Sequence, residues 1–349
     1  MKHTLKKDID KILTDTSDIV KHFSGKKILL TGGNGFLGKY FVEIFKNYNV
    51  FLKKPLKLLV IDNSFKKNEL SKDRNIKFVK ADISKNIKIN FQPNIIIHAA
   101  GIASPFYYRK KPMETLEVAI EGTKNCLKIA KRNNSKFIFF SSSEVYGNPD
   151  KKNIPTKENY NGNTSSTGPR ACYDESKRYG ETLVINYSKR FKFKSVIIRP
   201  FNNYGPGMKI RDKRLIPDLL ENVINDRNLI IYSDGSPTRT FCYITDAIIG
   251  YLKAIKQSKY GNIYNIGSDK PEITVKELAR RVLKLARKLL GYKGKIILKR
   301  NRDKNYLVDN PQRRCPNINK AKKELKFNPK IKLEKGLYKL LLHYVSSKL

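Results

Sequence analysis

Short apolar runs alternate along the chain with stretches of helical period. Lys27-Ile-Leu-Leu-Thr31, Leu58-Leu-Val-Ile61, Ile76-Lys-Phe-Val-Lys80, Asn94-Ile-Ile-Ile-His98, Phe137-Ile-Phe-Phe140 and Ser195-Val-Ile-Ile-Arg199 each read as a buried strand. Helical stripes lie between them, from Tyr40 to about Lys46, from about Met113 to Lys131, and through Tyr173. Strands and helices taking turns in this way predict an α/β fold, a doubly wound parallel sheet. Past residue 200 the alternation weakens. Arg214–Val223 reads as helix, Leu229–Tyr232 as extended, and Ile263–Ile266 as strand. A basic amphipathic helix covers about Val275–Leu290, and further helices end the chain. At the other end Leu5, Ile9, Ile12, Leu13, Thr16 and Val20 form one helical stripe. The expected division is a helical extension over 1–24, a nucleotide-binding domain over 25–200 with a returning segment at about 238–266, and a smaller C-terminal α/β lobe, mainly substrate-binding, over 201–349. The site lies between them.

The first strand runs into Gly32-Gly-Asn-Gly-Phe-Leu-Gly38 and then a helix. That context makes the glycines informative. They let the loop turn tightly, let backbone approach a pyrophosphate, and aim a helix N-terminus at it. Gly32, Gly35, Phe36, Leu37 and Gly38 are therefore candidate dinucleotide contacts. Asp62, followed by Asn63, ends the second strand, where a carboxylate accepts from the adenosine ribose and repels a 2′-phosphate. NAD is favoured over NADP, although Lys66 and Lys67 lie close by. Asp82 and Ile83 would flank the adenine. Ala99 and Ala100, after the fourth strand, are small enough for close cofactor approach. His98 reads as a structural strand-end histidine hydrogen-bonded to backbone.

Tyr173 and Lys177 stand four residues apart, one turn apart on one helix face. A nearby ammonium lowers a phenol's pKa toward that of a usable base. Alone, in so lysine-rich a chain, the pair reads better as an exposed Tyr and a solvated Lys. Its weight comes from Ser141-Ser-Ser-Glu-Val-Tyr-Gly147, delivered at the carboxyl end of the fifth strand.

Composition adds one question. The 349 residues carry 72 Lys plus Arg against 31 Asp plus Glu, a net charge of +41. Such an excess suits an anionic partner, but the basic residues are spread evenly and are not interleaved with aromatics. It reads as compositional bias, with no nucleic-acid partner expected and RNA binding as the minor alternative. Four scattered Cys and four His suggest neither a disulfide framework nor a metal site. No run is apolar enough to span a bilayer, and a cytoplasmic setting is expected.

Taken in order, Thr31–Gly38, Ser142–Gly147, Tyr173-x-x-x-Lys177 and Arg199-Pro-Phe-Asn-Asn-Tyr-Gly-Pro206 resemble the extended short-chain dehydrogenase/reductases (NAD-dependent epimerases and dehydratases) that modify nucleotide sugars. The likeness runs from about Lys26 to Tyr344 and implies a Rossmann domain, NAD and commonly a homodimer through a four-helix contact. Within the family, Gly168–Arg178, Gly235–Arg239 and Asp309–Pro316 are most similar to the UDP-glucuronate decarboxylases. Sugar 4,6-dehydratases carry Asp where this chain has Ser143, and 4-epimerases usually lack the acid that is Glu144 here. The resemblance implies Tyr173 as base and Lys177 lowering its pKa while binding the nicotinamide ribose. It implies Ser142 on the reacting oxygen, and Glu144 with Ser143 holding the substrate carboxylate or helping to protonate the enolate. It gives Asn202 and Arg239 contacts to the diphosphate or carboxylate, and Tyr108 a place in the sugar pocket. Arg313 is placed with them, or equally in a surface ion pair. Alternatives are a 4-epimerase, a dehydratase, or a non-catalytic NAD- or RNA-binding protein. Two departures are the bulky Phe106-Tyr107-Tyr108-Arg109 and Pro237, where decarboxylases often have Gln.

Overall fold

A computed structural model describes residues 3–66, 73–257 and 260–348; Lys67 and the first two residues of the N-terminal extension fall outside them. In chain order the elements begin α1 (His3–Asp15), β1 (Lys27–Thr31), α2 (Phe36–Phe51), β2 (Lys57–Asp62), β3 (Ile76–Lys80) and β4 (Ile95–His98). There follow α3 (Pro105–Lys110), α4 (Pro112–Asn133), β5 (Lys136–Phe140), α5 (Ala171–Phe191) and β6 (Ser195–Pro200). The rest comprises β7 (Asn203–Tyr204), α6 (Leu215–Ile224), β8 (Leu229–Ile231), β9 (Thr238–Arg239), β10 (Cys242–Tyr243), α7 (Ile244–Lys256) and β11 (Asn262–Ile266). It continues with β12 (Ile273–Thr274), α8 (Val275–Leu290), β13 (Ile296–Leu298), β14 (Arg313–Arg314), α9 (Asn319–Leu325) and α10 (Leu333–Lys348).

Seven strands form one sheet in the order β11-β6-β5-β4-β1-β2-β3, with every neighbour parallel. Side chains alternate between its faces, as strand geometry requires. Ile28, Leu30, Leu58, Val60, Ile138 and Ile198 pack with helices α1, α2 and α7, whereas Leu29, Leu59, Ile96, Phe139 and Ile197 pack against α4 and α5. Both faces are covered, which is why these strands read as continuous apolar runs. The chain changes direction of winding between β1 and β4, whose ends lie level: Thr31 pairs with both Ile61 and His98. A crevice opens at that point.

The N-terminal stripe is not one helix. It breaks at Thr16, whose hydroxyl donates to Ile12 O, and continues as a 3-10 turn over Ser17–Phe23. Nor is it peripheral, because Ile9, Ile12 and Phe23 are buried in the main core. Asp8 is fully buried, accepting from Tyr243 Oη and Lys339 Nζ at 2.6 Å each. α3 was not foreseen. Past β6 the chain makes small two- and three-stranded sheets, β8 with β13, and β12-β9-β14, standing over the crevice. Among the described residues no helix is long and apolar enough to cross a membrane.

Candidate active site

A cleft of about 1820 Å³ runs from the glycine loop to the β9 region. At its floor Gly32 has φ +78°, and a Cβ there would lie 2.7 Å from Ala99 O and Ala100 N. A Cβ on Gly38 would meet Gly32 O at 2.2 Å. Only glycine permits this turn and this close seating of α2. Gly35 caps α2 without a side-chain hydrogen bond, so the first N–H groups face the cleft wall formed by Gly35–Lys39. Asp62 accepts from Asn34 N at 3.0 Å and from Ser64 N and Oγ at 2.9 and 2.6 Å, which fixes its carboxylate at the rim. Asp82 is held likewise by Ser84, and Asn63, Ile83, Ala99 and Ala100 complete the wall. A narrow glycine cradle, an open helix N-terminus and a ribose-height carboxylate fit a dinucleotide such as NAD.

His98 is structural. Thr123 Oγ1 donates to Ala119 O, so it accepts from His98 Nε2 at 3.1 Å, and Thr31 Oγ1 then donates to Nδ1 at 2.7 Å. Burial, reinforced by Lys177, pushes the imidazole down to about 3. Its partners are side-chain hydroxyls rather than the backbone expected from sequence.

Tyr173 and Lys177 rise from the first turns of α5 into the cleft. Burial drives the phenol up to about 12, while a hydrogen bond with Ser142 pulls it the other way. Lys177 donates to Phe140 O at 2.8 Å, and its ammonium stands 5.8 Å from the Tyr173 ring centroid. Burial lowers Lys177 itself to about 8, against the opposing charge of Glu181. Glu181 in turn binds Arg199 and Ser141, a buried network beneath the serine run.

Glu144 lines the cleft from the turn Ser143–Tyr146, its own N–H donating to Ser142 Oγ at 3.2 Å. Its carboxylate meets Arg170 Nη2 and, at 2.8 Å, Arg314 Nη2. Burial works to raise its pKa, but the guanidiniums of Arg314, Arg170 and Arg239 outweigh it and leave Glu144 below the usual range. It is a fixed carboxylate here and a poor donor of a proton to an enolate. Arg239 hydrogen-bonds only oxygens of Thr238, Asn310, Pro311 and Gln312 among the described residues. Two guanidiniums thus pair with one glutamate and a third acts on it through its charge, with cationic charge to spare for an anionic ligand.

Tyr108 is fully buried and stacks on Tyr173, with centroids 4.9 Å apart and planes 5° apart, while the Arg170 guanidinium lies 5.7 Å from the Tyr108 ring centroid. Ser143 and Asn202 line the cleft; Asn202, at φ +41°, donates to Thr240 O at 2.9 Å. Arg313 is not in the cleft. It forms a two-pronged pair with Glu272 at 2.8 and 2.7 Å, and the buried guanidinium on Glu144 is its neighbour Arg314. Arg170 and Arg314 were given no role from sequence. Arg170 precedes Tyr173 by three residues, a spacing that stacks them on one helix face and was the available signal.

Sheet, glycine loop and Tyr/Lys/Ser set define a Rossmann-type, NAD-binding protein of the short-chain dehydrogenase/reductase class. More narrowly, the chain belongs to the NAD dependent epimerase/dehydratase family, whose pattern matches residues 28–267. It is 34% identical over 319 residues to UDP-glucuronic acid decarboxylase 6 of Arabidopsis thaliana, covering 90% of this chain and 87% of the plant protein. It is 33% identical over 329 residues to UDP-glucuronic acid decarboxylase 1 of Xenopus tropicalis, covering 93% and 73%. The fold is shared with UDP-glucuronic acid 4-epimerase from Bacillus cereus, solved with UDP-glucuronic acid and NAD, with a TM-score of 0.74 at 24% identity over 92% of this chain and 99% of that one.

Proposed function

We propose that the protein decarboxylates UDP-glucuronate to UDP-xylose through a 4-keto intermediate, with NAD as recycled cofactor. The observation that carries this is the Glu144 carboxylate held among Arg170, Arg239 and Arg314 beside Ser142 and Tyr173. The decarboxylase relatives, alike over nine-tenths of the chain, support it.

Residues 25–200 with the returning segment 238–266 would hold NAD, which supplies the hydride acceptor at C4 and returns that hydride at the end. The binding groups are Gly32, Gly35–Gly38, Asp62, Asn63, Asp82, Ile83, Ala99, Ala100 and Lys177. Residues 201–349 mainly hold the nucleotide sugar. Tyr173 takes the proton of the 4-hydroxyl while Ser142 hydrogen-bonds the same oxygen. The resulting ketone is β to the C6 carboxylate, so the C5–C6 bond breaks with its electrons flowing into the C4 carbonyl, and carbon dioxide leaves. Glu144 repels the substrate carboxylate held by the guanidiniums, and that repulsion disappears as the charge moves out of C6. A solvent proton is taken up at C5, and Tyr173 returns its proton to the C4 oxygen.

Incubation with UDP-glucuronate, followed by NMR, tests the reading: UDP-xylose and carbon dioxide are expected. UDP-galacturonate would instead assign a 4-epimerase, the activity named for the Bacillus cereus neighbour. Tyr173→Phe should lower turnover by about 1000-fold and leave NAD bound. The proposal includes a cytoplasmic homodimer through α4 and α5, which pack together and leave Met113 and Tyr179 exposed. Light scattering at twice the monomer mass checks it.

A further inference from the structure

Asp174 follows Tyr173 but does not line the cleft, and only 4% of it is exposed. An acid in the first turn of a helix ordinarily sits in water and gains about 0.3–1 kcal/mol from the helix dipole. That gain is too small to offset burying a carboxylate. Asp174 Oδ1 has no hydrogen-bond partner among the described residues, and neither does the buried Nε of Arg170, which lies 3.7 Å from Asp174 Oδ2. The same guanidinium reaches Glu144 through Nη2. It is a planar, rigid fork, so fixing one edge aims the other.

We infer that Asp174 is a positioning residue: it anchors the Nε edge of Arg170 so that the opposite edge stays on Glu144 and toward the anionic group of the substrate. The backbone supports this geometry. Tyr173 N and Asp174 N both donate to Arg170 O, at 3.0 and 3.1 Å, so the anchor, the fork and the candidate base share one helical turn. Burial and the nearby Glu144 raise the Asp174 carboxyl, against the pull of Arg170 and Arg314, as expected of a group retained for its place and not for its own solvation.

The inference rests on the proposed reaction only where it is read as turnover. In the NAD-loaded protein, Asp174→Asn should lower kcat for UDP-glucuronate about tenfold and keep KM and NAD content within about twofold. In an Arg170→Lys background the same change should alter kcat less than about twofold, because its effect passes through the fork. A crystal structure of Asp174→Asn should show Arg170 withdrawn from Glu144. A full effect in the Arg170→Lys background, or Arg170 unmoved on Glu144, overturns the inference. Should wild-type protein leave UDP-glucuronate intact, the proposed function fails and the crystallographic contact alone judges Asp174. If the Asn variant does not fold, Asp174→Ser is read by the same measurements.

Discussion

Glu144 is the residue on which the proposed chemistry turns, because its charge is fixed by neighbours and not by solvent. Replacing it with Gln leaves Arg170 and Arg314 without their carboxylate. The expected result for Glu144→Gln is a fall in kcat of about 100-fold with an equal or lower KM for UDP-glucuronate, since the guanidiniums then bind substrate unopposed. Steady-state kinetics on the purified variant checks both parts. Asp174 gives a pH prediction. Burial, then Glu144, raises its carboxyl to about 7, against about 3.9 for an unfolded Asp. The folded state therefore binds the proton more tightly, and the group's stabilising contribution is complete below about pH 4 and lost as pH rises through about 7. The melting temperature of wild-type protein should fall relative to Asp174→Asn across that window and run parallel to it above. A constant difference from pH 4 to 8 would show that Asp174 does not titrate there.

At the scale of elements, α1 behaves as a piece of the core. Ile12 is fully buried and Asp8 holds Tyr243 and Lys339, from two elements far along the chain. Ile12→Ala should cost about 2–5 kcal/mol in denaturant unfolding. A value under 1 would mean the helix merely rests on the domain. The apolar stripe was legible because periodicity is local. Its break at Thr16 was not, because the hydroxyl that turns the chain there is held by Tyr48 Oη at 2.6 Å from 32 residues away. α3 escaped notice for a similar reason. Its polar face is tied down through Ser104 Oγ to Asp212 O and Tyr107 Oη to Arg211 O, contacts that no local pattern announces.

For the whole molecule, 72 basic against 31 acidic residues impose a positive field, and the cleft mouth shares it through Arg211, Lys299, Arg300 and Arg302. A nucleotide sugar with diphosphate and carboxylate is attracted over about a Debye length, about 10 Å at 0.1 M salt. Raising salt from about 50 to 300 mM should lower kcat/KM several-fold with kcat nearly constant. An unchanged kcat/KM would confine the excess charge to solubility.

The amino-acid sequence alone determined the seven-strand scaffold, the glycine cradle and the helix that pairs Tyr173 with Lys177. Each follows from residues within a few positions of one another, where steric and periodic rules act directly. Only the tertiary structure decided which cations stand against Glu144. Arg313 and Arg314 are adjacent in a two-residue strand, so they must point to opposite sides. The pairing of Arg313 with Thr238 and Arg314 with Arg239 turns the first outward to Glu272 and the second inward to Glu144. Lys177 likewise keeps its place in the pattern, but its hydrogen-bond partner is a carbonyl from β5, 37 residues earlier, which no local spacing announces. Charge acts over a few ångströms of space, and sequence separation carries no measure of that distance.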